Sequence, residues 1–296
     1  MSRQLITETV RDGRVLISDG ACGTFLQQHG MEAGECPELW NVDHPDVVRD
    51  MAEKYIEAGS DMVQTNSFGG SRYKLEAFEL SDRTIELNKA AASLAREAAG
   101  EDHWVIASVG PTGKMVLMGD VTEDDFYNVF KEQAQALAEG GADGICVETM
   151  SAVDEAVQAV KAAKENTDCE VMSTLTYEPS KQGGYRTMMG VSPTEGAKAA
   201  LDAGADIIGA NCGNGIEGMI DVVKEIRAVD ANVPILVHAN AGLPETVNGE
   251  MVFPEKPQEM AEKVPKLIDA GANIIGGCCG TTPEHISAMK EKIPRR

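Results

Sequence analysis

Short apolar runs alternate with longer amphipathic stretches along the whole chain. Eight runs read as buried strands, at 15–19, 62–66, 104–109, 144–148, 170–176, 206–211, 234–239 and 273–277. The stretches between them, such as 46–58, 83–98 and 125–138, carry apolar residues at helical spacing. One phrase recurs: Ala58-Gly59-Ser60-Asp61, Gly140-Gly141-Ala142-Asp143, Ala203-Gly204-Ala205-Asp206 and Ala270-Gly271-Ala272-Asn273. Each copy joins a helix end, a glycine cap, a short turn and a buried strand, which marks repeated βα units. Ser192-Pro193-Thr194-Glu195 offers a helix N-cap, a first-turn proline and a capping-box glutamate, and Thr282-Pro283 opens the last helix similarly.

Eight strands alternating with helices in 296 residues predict an α/β fold, a (β/α)8 TIM barrel. A doubly wound sheet would carry a glycine-rich dinucleotide fingerprint after its first strand, and Asp19-Gly20-Ala21-Cys22-Gly23 does not match one. No low-complexity linker interrupts the pattern, so one domain over 1–296 is expected. The segment 243–257, with three prolines and a glycine, follows the seventh strand and is expected at the rim or as a lid.

Composition narrows the function. Aromatics are only 4% of residues, so the core is built from Ala, Val, Ile, Leu and Met. The net charge of −22 argues against binding nucleic acid or anionic membranes. No run approaches the ~20 apolar residues of a membrane span, and the N-terminus lacks a signal-peptide core. Seven cysteines cannot all pair internally. A reducing cytoplasm is expected, where clustered cysteines mean metal or catalysis more often than disulfides.

Barrel sites lie at the C-terminal ends of the strands. That rule selects Asp19, Asn66, Glu148, Tyr177, Asn211, Cys212, His238, Asn240, Cys278 and Cys279. Cys278 and Cys279 are adjacent and flanked by glycines. Neighbours in a regular strand face opposite ways, so both can serve one site only where the backbone bends. Cys212 ends the sixth strand in Gly209-Ala210-Asn211-Cys212-Gly213. The three thiolates suit a soft ion, zinc first. Cys36, Cys146 and Cys169 read as structural, and Cys22 as a doubtful ligand. Glu148 reads as a carboxylate for a substrate ammonium, against the alternative of a helix-start charge beside a Ser151 cap. A tight turn explains Asp19 equally well. His238 reads as a satisfied histidine in the barrel wall.

Gly276-Gly277-Cys278-Cys279-Gly280-Thr281-Thr282-Pro283-Glu284-His285 resembles the signature of the homocysteine S-methyltransferase family, closest to the homocysteine-binding domain of cobalamin-dependent methionine synthase. Asp19-Gly20-Ala21-Cys22-Gly23-Thr24, Thr65-Asn66-Ser67-Phe68-Gly69, Gly110-Pro111-Thr112-Gly113, Glu148-Thr149-Met150 and Ala239-Asn240-Ala241-Gly242-Leu243-Pro244 agree with it. The resemblance covers essentially the whole chain. It implies a barrel with catalytic zinc on Cys212, Cys278 and Cys279, whose fourth position takes the homocysteine thiolate. Without substrate it implies an oxygen ligand there, with Asn240 as the candidate. It implies Glu148 at the substrate amino group, Asp19 as a second candidate for that end, Asn66 nearby, and backbone amides for the carboxylate.

The large synthase continues into folate and cobalamin modules, whereas this sequence holds one barrel and no cobalamin-ligand motif. The resemblance therefore implies methyl delivery from a methylcobalamin carried on a separate corrinoid protein. The alternatives are a small donor such as S-methylmethionine or a betaine, or another thiol as acceptor. Gly280 resembles the cobalamin-dependent branch, the short relatives usually carrying arginine there.

Overall fold

Each copy of the repeated phrase turns a helix into a strand in the same way. The computed structural model describes residues 4–181, 183–247 and 250–294. In it Gly59, Gly141, Gly204 and Gly271 have φ of +102°, +105°, +97° and +113°, a region that strains any residue with a β-carbon. Two residues later the Asp or Asn makes a paired contact with the preceding strand. Asp61 donates its N–H to the Ile17 carbonyl and accepts the Ile17 N–H on Oδ2, both at 2.8 Å. Asp143 repeats this on Val105, Asp206 on Val171 and Asn273 on Ile235. A cation near the end of a neighbouring helix holds each side chain: Lys290 for Asp61, Arg96 for Asp143, Lys164 for Asp206 and Arg227 for Asn273. The chain is thus a fourfold repeat of two βα units, with the even strands opening on the acid or amide.

The barrel strands are β1 (Leu16–Ile17), β2 (Met62–Gln64), β3 (Trp104–Val109), β4 (Gly144–Met150), β5 (Glu170–Leu175), β6 (Ile207–Asn211), β7 (Ile235–Ala239) and β8 (Ile274–Gly277). They form one parallel sheet in the order β1-β8-β7-β6-β5-β4-β3-β2, the expected (β/α)8 TIM barrel. β1 and β2 are shorter than the apolar runs suggest because side chains replace the ladder at their seam. Asp61 closes the seam at one end. Asp19 Oδ2 closes it at the other by accepting the Gln64 N–H at 2.6 Å. Ser60 Oγ donates to the Ser18 carbonyl between them, at 3.3 Å.

The three helices expected at 46–58, 83–98 and 125–138 form as Pro45–Glu57, Thr84–Ala99 and Glu123–Glu139. Their apolar faces pack on the outer barrel wall in one extended core. Inside the barrel lies a second core of Leu16, Met62, Ile106, Cys146, Met172, Ile207, Leu236 and Ile274. Trp104 joins it from β3, and Ile6 and Val10 complete it from a helix, Ile6–Arg11, absent from the sequence reading. The buried Glu170 carboxylate accepts the first N–H groups of that helix, at 2.6 Å from Ile6 and 2.9 Å from Thr7. An anion there satisfies donors that the helix leaves free.

Ser192 caps its helix as expected, with Glu195 reaching back to the Ser192 N–H at 2.8 Å. At Thr282 the N–H donates instead to His285 Nδ1 at 3.2 Å. His285 Nε2 therefore carries the proton and donates to the Glu255 carbonyl at 2.9 Å. The expected Ser151 cap does not form: Ala152 is the N-cap, and the Ser151 carbonyl accepts from Thr187 Oγ1 at 2.7 Å. The segment 243–257 lies on the rim, where Glu245–Val247 pairs antiparallel with Glu250–Val252. Part of that expectation, at 248–249, lies outside the described residues. No helix among the described residues is long and apolar enough to cross a membrane.

The repeated acid makes a direct prediction. Asp61→Ala leaves the buried Ile17 N–H without an acceptor and should lower unfolding free energy by ~1–3 kcal/mol in urea titrations. Asp61→Asn should cost clearly less, because Asn273 already fills the equivalent place. An alanine variant as stable as the asparagine one contradicts this account of the seam.

Candidate active site

Two backbone features bring the thiols together. Cys212 follows β6 with φ +59°, the left-handed region that non-glycine residues rarely occupy. Its N–H donates to the His238 carbonyl at 2.9 Å and its carbonyl accepts from Asn214 at 2.7 Å, which holds the turn. β8 ends at Gly277, and the chain then bends. Cys278 donates its N–H to the Ala239 carbonyl at 2.7 Å, while the Cys279 carbonyl accepts from Ala241 at 3.0 Å. Thr281 Oγ1 closes the bend on the Cys278 carbonyl at 2.7 Å. Gly280 has φ +80°, and a β-carbon there would lie 2.3 Å from Phe253 Cβ.

The result is one cluster. The three sulfur atoms lie within 4.8 Å of one another, with Cys212 Sγ and Cys279 Sγ 3.9 Å apart. A tetrahedral ion with bonds of about 2.3 Å needs sulfurs about 3.8 Å apart. Asn240 follows the end of β7 directly, and its buried Oδ1 has no partner. An unpartnered oxygen at the end of β7, between the strands that carry the thiols, suits the fourth ligand of an ion held by three sulfurs. Hydrogen bonds from Cys278 and Cys279 push the Cys212 thiol strongly down. The same bonds to Cys212 push the Cys278 and Cys279 thiols up. The cluster alone favours one shared thiolate, and a cation is what would let all three ionise.

The cluster forms part of the wall of a cavity of about 440 Å³ at the C-terminal end of the barrel. Glu148 lines it, as expected from its place near the end of β4. Burial raises its carboxyl above the ordinary value, against hydrogen bonds from Ser108 and Gln64. Both donors meet one oxygen, Oε1: Gln64 Nε2 at 3.1 Å, and Ser108 Oγ. No cationic side chain offsets the charge among the described residues. The helix-start alternative for Glu148 does not hold, since the next helix begins at Val153 behind an Ala152 cap.

Asn66 lines the same cavity and accepts the Cys22 thiol on Oδ1 at 3.3 Å. Its Nδ2 donates to the Pro37 carbonyl at 2.7 Å. Asp19 stands behind the cavity wall, holding the Gln64 backbone, and burial raises its carboxyl to about 7. Asn211 is also structural. Its Oδ1 accepts the N–H of Thr149, itself at φ +60°, at 2.8 Å. Tyr177 packs beneath the helix Pro193–Asp202. His238 lines the cavity, but its buried Nε2 has no partner, so the expectation of a satisfied histidine fails.

The model of the homocysteine S-methyltransferase family matches residues 16–293. The chain belongs to the homocysteine S-methyltransferase family. It is 32% identical over 303 residues to a protein named methionine synthase from Mycobacterium leprae, covering 95% of this chain and 24% of that protein. The Mycobacterium tuberculosis methionine synthase is similar at 32% over 301 residues, covering 95% of this chain and 25% of its own length. The chain therefore spans about a quarter of the length of these curated relatives. In fold it is like the metallated Escherichia coli homocysteine methyltransferase MmuM, with TM-score 0.79 and 22% identity over 96% of this chain and 98% of that one.

Three site residues escaped the sequence reading of this family member. Gln64 and Ser108 hold Glu148. Glu38, buried in the cavity wall, accepts the Gly69 N–H at 2.6 Å. Gln64 ends β2, whereas the sequence run at 62–66 continues past it. Ser108 sits inside an apolar strand, and Glu38 in a short turn, where no strand-end rule reaches.

Metal binding separates the cysteines. Cys212→Ser, Cys278→Ser and Cys279→Ser should each abolish stoichiometric uptake of cobalt(II), read from its thiolate charge-transfer band. Cys36→Ser should bind as the unaltered protein does, because its thiol turns to Glu38 at 3.4 Å. Retention of the band in the Cys278 variant would remove the cluster from consideration.

Proposed function

We propose that this barrel is a zinc-dependent thiol S-methyltransferase that converts homocysteine to methionine. The observation that carries the reading is three converging thiols in a cavity that also holds an uncompensated carboxylate. Cys212, Cys278 and Cys279 would hold the ion, with the unpartnered Asn240 Oδ1 as the oxygen ligand at rest. Bound zinc would act as a Lewis acid that lowers the pKa of a substrate thiol from roughly 8.5. Three cysteinates on the ion would offset its positive charge, so that a substrate thiolate held there would keep its nucleophilicity.

The remaining residues orient the substrate. Glu148 takes the ammonium group, and Asp19 serves the same end from behind by anchoring Gln64. Asn66 shapes the wall opposite, and backbone amides at the strand ends take the carboxylate. The seven cysteines, all unpaired among the described residues, suit a reducing compartment such as the cytoplasm.

For the donor, we favour a methylcobalamin on a separate corrinoid protein. Supporting it, the loops after β3, β5 and β7 expose Leu117, Met118, Met188 and Leu243 at the catalytic end of the barrel, where a protein donor must approach. A second reading is a small onium donor such as S-methylmethionine or a betaine. In its favour, Phe68 and Phe78 line the cavity beside Glu38, aromatic and acidic surfaces that attract such cations.

Two experiments test the reading. Zinc-loaded protein with homocysteine should form methionine from methylated corrinoid protein and not from S-methylmethionine or glycine betaine. Turnover with only the small donors replaces the first donor reading by the second, and turnover with methyltetrahydrofolate alone contradicts both. Glu148→Gln should raise the homocysteine KM by ~10-fold or more, the scale of a charged hydrogen bond. An unchanged KM removes Glu148 from the amino-group role.

A further inference from the structure

The buried carboxylate at Glu148 is held in one orientation, and the holding is built by β2 and β3. Ser108 and Gln64 both donate to Oε1, and no protein group among the described residues donates to Oε2. Ser108 itself is fixed by a closed ring of hydrogen bonds. Its N–H donates to Thr65 Oγ1 at 3.1 Å. Ser67 Oγ donates to its carbonyl at 2.7 Å. The carbonyl can only accept, so the third contact, Thr65 Oγ1 to Ser67 Oγ at 2.5 Å, must have threonine as donor. Every hydroxyl in the ring then gives one bond and receives one. The Gln64 backbone is pinned separately by Asp19.

We infer that Gln64 and Ser108 are positioning residues that set selectivity for a thiol substrate bearing a primary ammonium group. They act by saturating Oε1 of Glu148 and turning Oε2 to the cavity. The inference rests on the reading of Glu148 as the amino-group residue. Neutral donors suit this task. A Lys or Arg in their place would neutralise the carboxylate and remove its attraction for a ligand cation. Two oriented dipoles keep the charge while fixing its direction. A carboxylate free to rotate would spread its attraction over several directions and discriminate less between substrates with and without the amino group.

The test needs no methyl donor. Zinc-loaded protein is titrated calorimetrically with homocysteine and with 4-mercaptobutanoate, which has the same thiol and carboxylate but no amino group. The unaltered protein should prefer homocysteine. Ser108→Ala and Gln64→Met should each reduce the ratio of the two Kd values by about tenfold, the scale of one hydrogen bond to a charge. The change should fall on homocysteine, with 4-mercaptobutanoate binding as before, and Ser108→Thr should restore most of the ratio. A merely structural role would weaken both thiols alike and leave the ratio unmoved. An unmoved ratio in both variants, with Glu148→Gln still lowering it, overturns the positioning role and leaves the amino-group reading intact. A ratio that Glu148→Gln also leaves unmoved, or no preference in the unaltered protein, overturns that reading and the inference with it. If Ser108→Ala does not fold, Gln64→Met carries the same test alone.

Discussion

The site at the C-terminal end of this barrel is built around three sulfur atoms held within 4.8 Å of one another by the ends of two strands. Adjacent strand residues face opposite ways, so Cys278 and Cys279 can share a centre only because β8 ends at Gly277 and the backbone turns through Gly280. Cys212 reaches the same point from β6 only by taking a left-handed backbone conformation. Such a conformation in a non-glycine residue costs on the order of 1–3 kcal/mol and persists where surrounding structure over-determines it. Here the bonds to His238 and Asn214 do so. The like charges that ionised thiols would create are a second cost, which a bound cation offsets.

The barrel supplies the rigidity. Its even strands each begin with an acid or amide that takes the first rung of the preceding strand, and a helix cation holds that group in turn. These devices lie at the N-terminal end of the barrel, away from the thiols. The catalytic end is left to residues with different work: Asp19 closing a seam, Asn211 fixing Thr149, and Gln64 with Ser108 fixing Glu148. Stability and chemistry are thus divided between the two ends, as barrels allow.

Much of this was legible in the residues. The recurring Gly-x-Asp phrase fixed the alternation of helix and strand, and the glycine-flanked cysteine pair announced a bend where two thiols could meet. Glu148 was visible as a charge ending an apolar run. The partners of Glu148 were not, because a hydrogen bond between β2, β3 and β4 has no local sequence signal. The helix at Ile6–Arg11 was missed for the same reason: its anchor, Glu170, lies 164 residues away from Ile6. Asp19 reads in the sequence as a turn residue or a candidate for the substrate amino end, and the rung it makes to the Gln64 N–H has no local signal. His238 was expected to be satisfied, and only its three-dimensional surroundings reveal a buried nitrogen without a partner.

If the three cysteines hold a zinc ion that takes the substrate sulfur, the ion's neighbours change when the thiol binds. X-ray absorption at the zinc edge of the loaded protein reads this directly, with and without homocysteine. Three sulfur neighbours and one lighter ligand are expected at rest, and four sulfur neighbours once homocysteine is added. A first shell that the thiol leaves unchanged would contradict it.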